Sequence, residues 1–175
     1  MVLTKDEFIS AVNEEVRLLL HLISKVEPQM LEFQPTPQTR TLLQVLQYLT
    51  LFPGLHLRST LAPVFSMEGW MKAYQVEEPL AKGRNLDQIK EAIAAQPAMA
   101  AELLRDYPDA ELRADFNMFG ESASRGVWLV RMILSHYAAY RMQVFVYLKS
   151  CGRPELNTMN LWAGTDGSME PPPSA

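Results

Sequence analysis

Histidine supplies most of the acid–base and metal-ligand chemistry available near neutral pH, and this chain has three: His21, His56 and His136. None has another histidine three or four residues away, so no helix face offers a local pair of metal ligands. Taken singly, each reads as a half-buried side chain with one hydrogen bond sooner than as a catalytic group. Serine-nucleophile chemistry has no support, because no G-x-S-x-G turn occurs. The phosphate-loop and dinucleotide fingerprints are missing as well. Cys151 ends a long helical run, where the helix dipole disfavours a thiolate, and is a poor nucleophile. As the single cysteine it excludes an internal disulfide and every multi-cysteine zinc pattern.

His136 differs by its company. The run reads Ser135-His136-Tyr137-Ala138-Ala139-Tyr140-Arg141-Met142-Gln143 and continues through Tyr147-Leu148 to Gly152. Tyr140 follows His136 by one helical turn and shares its face. This stretch resembles the last helix of the DinB-like family, which typically reads His-x-x-x-His-Arg-x-Gln before an apolar tyrosine-leucine run and a glycine. The second helix of that family typically has a Ser or Thr start, a Glu-Leu-Leu-like step and then a histidine. The matching stretch here is similar: Thr41-Leu42-Leu43-Gln44-Val45-Leu46-Gln47-Tyr48-Leu49. In element order the resemblance runs from the first helix to Asn160-Leu161-Trp162. It implies an all-α, up-down-down-up four-helix bundle, often a homodimer. In many members three histidines hold a divalent metal, zinc or nickel, for hydrolase or transferase chemistry.

Carried over position by position, the resemblance puts the first metal ligand on His136, the second on Tyr140 and the third on Tyr48. A neutral phenol titrating near 10 is a poor partner for such a metal beside imidazole. The expectation is therefore a bundle without the metal site and without a cofactor. Tyr48, His136 and Tyr140 then form either a self-satisfied polar cluster or the lining of a small-ligand pocket, with His136 as a general base. In that reading the chain is a dimeric ligand-binding or interaction protein. The alternative is a metal-dependent hydrolase or thiol transferase whose site around His136 is completed by His56 or by a carboxylate from another loop.

Four long segments must position these residues. The first opens with the capping-box spacing Thr4 to Glu7 and carries Phe8, Val12, Val16, Leu19, Leu20, Ile23 and Val26 at helical period until Pro28. The second runs from Thr39 or Thr41 to about Leu57, with a kink or break predicted at Pro53-Gly54. Residues 59–82, with Trp70 and Tyr74 among polar neighbours, read as irregular. A third helix starts at Asn85 and runs to about Asp106, bent or split at Pro97. The fourth starts near Ser122 or Ser124 and ends at Cys151, capped by Gly152. Strand signals are weak throughout. Residues 1–166 read as one domain, and Gly167 to Ala175, with three consecutive prolines, as a disordered tail.

The fourth helix places Val130, Ile133, Leu134, Tyr137, Val144 and Leu148 on one stripe, with Leu129, His136, Tyr140 and Tyr147 beside it. Its far side holds Ser135, Ala139, Met142 and Val146 where a wetted helix carries charge. That predicts a homodimer packed along this helix, a loop folded over it being the alternative. Arg141 falls on the apolar stripe and must find a carboxylate or carbonyls, with Glu14 or Glu15 as candidate partners. Residues 156–162 are expected to fold back with the Trp162 ring buried.

The 175 residues are 48% hydrophobic and carry sixteen Lys and Arg against twenty Asp and Glu, a formal net charge of −4. That balance disfavours nucleic acid as a partner. The charged N-terminus has no signal-peptide apolar region, and no run approaches the 18 apolar residues of a membrane helix. The expectation is a cytoplasmic protein without a membrane partner.

Overall fold

A computed structural model describes residues 3–167; the predicted tail from 168 onward lies outside them. Helix α1 (Lys5–Ile23) starts where Thr4 accepts from the Glu7 N–H and the Glu7 carboxylate accepts from the Thr4 N–H. The same reciprocal cap, Thr41 with Gln44, starts α2 (Leu42–Leu49). Pro53 cannot donate to the Leu49 carbonyl, and its ring would meet that carbonyl. The helix therefore stops and restarts as α3 (Phe52–Leu61), with Pro53 in its first turn. Pro97 acts likewise between α5 (Leu86–Ala94) and α6 (Gln96–Leu104). The two breaks are joined, since Gln96 Nε2 donates to the freed Leu49 carbonyl at 2.8 Å.

The stretch read as irregular is a helix, α4 (Met67–Lys82), capped by Ser66 onto the Gly69 N–H. It escaped notice because it has almost no apolar stripe: Ala81 is the one side chain it buries fully. A hairpin was also not expected. Strands β1 (Asp115–Met118) and β2 (Glu121–Ser124) pair antiparallel. Their two-residue turn holds Phe119 and Gly120 at φ 54° and 83°. Two positive φ values suit a tight hairpin turn, but four-residue strands are too short for visible alternation.

The last long helix comprises α7 (Arg125–Leu129), a π turn (Val130–Leu134) and α8 (Ser135–Ser150). In the π turn the Ser135 N–H bonds the Val130 carbonyl, five residues back. The extra residue shifts the helical phase, so Val130, predicted on the buried stripe, is 41% exposed. The chain leaves α8 through Gly152 at φ 141°, consistent with the predicted glycine stop.

Four arms form the bundle: α1, α2 with α3, α5 with α6, and α7 with α8. The shared core includes Phe8, Val12 and Leu19 of α1, Leu42 and Leu46 of α2, Ile89 and Ile93 of α5, and Ile133, Tyr137 and Leu148 of the last helix. Helix α4 lies against the outside of α2 and α3. Arg141 pairs with Glu15, Nε to Oε2 at 2.9 Å, while Glu14 pairs with Arg17. The returning segment packs through Leu156 and Leu161. Against expectation, Trp162 is 59% exposed, because its ring covers the Arg141 guanidinium, 4.8 Å away, instead of entering the core.

Candidate functional site

Tyr48, Phe52 and His56 recur every fourth residue across the α2–α3 junction, so the break leaves them on one face. His136 and Tyr140 do the same on α8, and Trp70 and Tyr74 on α4. The three faces meet in an aromatic ladder with two rungs. On the phenolic rung the Tyr48 and Tyr140 ring centroids are 5.1 Å apart. The Arg40 guanidinium lies 4.5 Å over the Tyr48 ring, and its Nη1 donates to Tyr140 Oη at 3.3 Å. On the imidazole rung His56 and His136 are 5.4 Å apart, and Trp70 stands 5.9 Å from His56. Phe52 fills the space between the rungs, 5.4 Å from His136 and 5.8 Å from Tyr48.

The electrostatics of the rungs follow from burial. The Tyr48 phenol is pushed up to about 12, first by loss of solvent and then by neighbouring Tyr140. His56 is pushed down to about 4, by burial and then by His136, so it is neutral at pH 7. His136 Nδ1 lies 3.2 Å from the Arg131 carbonyl. A carbonyl only accepts, so Nδ1 is the donor in this contact. The π turn directs this contact.

Other sequence candidates serve the framework. Asn160 Nδ2 donates to His21 Nε2 at 3.2 Å, tying the C-terminal segment to α1. Burial raises the Cys151 thiol, which keeps it a poor nucleophile. Gln143 donates to Tyr147 Oη at 2.8 Å, and that hydroxyl donates to the Arg40 carbonyl at 3.3 Å. The Arg-x-Gln stretch thus supports the backbone of the residue over Tyr48.

Two clefts flank the phenolic rung. One, of about 510 Å³ between α2 and α4, is lined by Glu32, Arg40, Gln44, Tyr48, Tyr74 and Lys82, among others. The other, of about 360 Å³, lies along α8 at Arg131, Ser135, His136, Ala139, Tyr140 and Gln143. The structure brings Tyr48, His136 and Tyr140 together, but the first lines one cleft and the other two line the second. Sequence reasoning missed Arg40, Phe52, Trp70 and Tyr74, and brought in His56 only as a ligand completing the alternative metal site. The four-residue spacing of Tyr48, Phe52 and His56 was the available signal.

No protein-family model matches the chain, and no curated protein matches it in sequence. Its structure is similar to the crystal structure of the DinB-like protein YjoA from Bacillus subtilis. The TM-score is 0.63 over 86% of this chain and 95% of that one, at 13% identity. The chain has the DinB-like fold. The three positions onto which the sequence resemblance carries the metal ligands, Tyr48, His136 and Tyr140, are a poor donor set for a divalent cation. Two are phenols, one of them held protonated to about 12, and the Arg40 guanidinium already puts positive charge on both. Among the described residues no group of three or more His, Cys, Asp or Glu is placed to hold a metal.

Proposed function

We propose that this DinB-like bundle is a metal-independent binding protein for a small aromatic anion, seated in the cleft between α2 and α4. The observation that carries this reading is Arg40, whose fixed cation stands among the positions where the family places its metal. A guanidinium recognises a carboxylate in the plane of its fork. Tyr48 and Tyr74, on the walls of the same cleft, offer flat apolar faces to an aromatic ring. Glu78 and Lys82 are already engaged, Glu78 with the Tyr74 hydroxyl and with Lys82, which leaves Arg40 to receive the anion.

The test is calorimetric titration with benzoate. Arg40→Gln is expected to weaken benzoate binding roughly tenfold or more, the usual worth of a charge-assisted hydrogen bond. Equal affinity in the variant and the parent overturns the reading. Metal analysis of protein purified without chelator or affinity tag provides a second check. A stoichiometric metal that disappears in His136→Ala would restore the metalloenzyme reading.

We further propose that the bundle pairs with a second copy along the outer face of α7 and α8. Val127, Val130, Met142 and Val146 stay exposed there, which supports an isologous contact over the alternative of a covering loop.

A further inference from the structure

Buried polar atoms in a folded protein almost always have a partner, and each one left without costs about 1–3 kcal/mol. Two on the imidazole rung have none: His56 Nδ1 and Trp70 Nε1. They belong to neighbouring rings, and His56 is only 4% exposed. The rings around them are aromatic, namely Phe52 at 6.3 Å and His136 at 5.4 Å from His56, and Tyr74 stacked on Trp70 at 5.5 Å.

We infer that His56 and Trp70 form a second binding position, for the hydroxyl of a small uncharged aromatic molecule, closed in this structure by α4. The Trp70 indole N–H donates to the hydroxyl oxygen, and the hydroxyl donates to or accepts from His56 Nδ1. A hydroxyl satisfies both atoms whichever nitrogen of His56 carries the proton. An anion is disfavoured because the His56 imidazole is neutral at pH 7 and buried.

The way in is under the N-terminal half of α4. Its C-terminal end is pinned, with Gln47 Nε2 donating to the carbonyls of Lys82 and Arg84 at 2.7 and 3.0 Å. Arg84 in turn donates to Thr50 Oγ1 at 2.7 Å. Toward the other end the ties include the Trp70 ring on His56 and a partly exposed ion pair, Arg58 with Glu77. Tilting α4 about its pinned end lifts Trp70 from His56 and admits the ligand. This position is separate from the Arg40 cleft and does not depend on the anion reading.

The test is titration of the full chain with phenol and with toluene, which differ by the hydroxyl, following protein melting and the Trp70 indole N–H resonance assigned through Trp70→Phe. Phenol is expected to shift that resonance and to bind at least fivefold tighter than toluene. His56→Phe is expected to abolish the preference, and His56→Gln, which keeps a polar head, to retain part of it. Absence of phenol binding, toluene binding as tight as phenol, or a preference unchanged in His56→Phe each overturns the proposal. If His56→Phe does not fold, the phenol–toluene comparison on the parent chain decides. Benzoate titration of the same samples reads the Arg40 cleft separately, so failure of one site is distinguished from failure of the other.

Discussion

At His56 the energetic consequence of burial is a pH dependence. Its imidazole titrates near 4 in the folded chain against about 6.5 when unfolded, so the unfolded state binds the extra proton between these values. Stability is therefore greatest above pH 6.5 and falls as pH drops toward 4, by about 3 kcal/mol from this group alone. Urea unfolding across pH 4–7 is expected to show that loss in the parent and a slope shallower by that amount in His56→Gln. Identical slopes would mean that His56 is solvated. Arg141 illustrates the opposite solution to a buried charge. At 2% exposure its charge is compensated by pairing with Glu15, donating to the Leu161 carbonyl and packing on Trp162. The polar residues at the rungs were chosen by the sequence, but their burial was set by which helices cover them.

Among the elements, α4 stands apart because it buries one side chain fully while α1 buries seven. An element held by so little apolar contact opens locally at low free energy. Amides of residues 70–76, near its free end, are expected to exchange at least tenfold faster than those of α1 and of residues 137–148, read by hydrogen exchange with mass spectrometry. Equal protection would show that α4 is not a separable cover. The π turn works in the other direction, as a fixed device. By adding one residue before His136 it aims the ring at the Arg131 carbonyl and turns Val130 outward. Insertions of this kind leave the apolar pattern nearly helical, so the sequence reads as one unbroken helix.

For the whole molecule the surface feature that bears on assembly is the outer face of α7 and α8. Four exposed apolar side chains, Val127, Val130, Met142 and Val146, line it from end to end. Sedimentation equilibrium is expected to give a dimer for the parent and a monomer for the double variant Met142→Glu, Val146→Glu, since two opposed carboxylate pairs cannot share a desolvated seam. A parent that sediments as a monomer removes the dimer proposal and leaves the ligand sites untouched. None of the helices among the described residues is long and apolar enough to cross a membrane. The acidic charge balance is a property of the entire surface and selects no partner by itself.

The helical class and the four arms were legible because local physics writes them into adjacent residues. Caps at Thr4, Thr41 and Asn85, breaks at Pro53 and Pro97 and the stripe of α1 all involve partners within one or two turns. The stretch around His136 carried Tyr140 and the second-helix stretch carried Tyr48, both by resemblance, and the structure brings the three rings near one another. Tertiary structure alone decided the rest. Arg40 reaches Tyr140 across 100 residues, and Trp70 reaches His56 from a helix with scarcely any apolar stripe. Glu15 rather than Glu14 receives Arg141 because only its side of α1 faces α8. Periodicity records what a helix buries, and is silent on which partner meets a polar side chain; that is fixed only when the arms close around a common core.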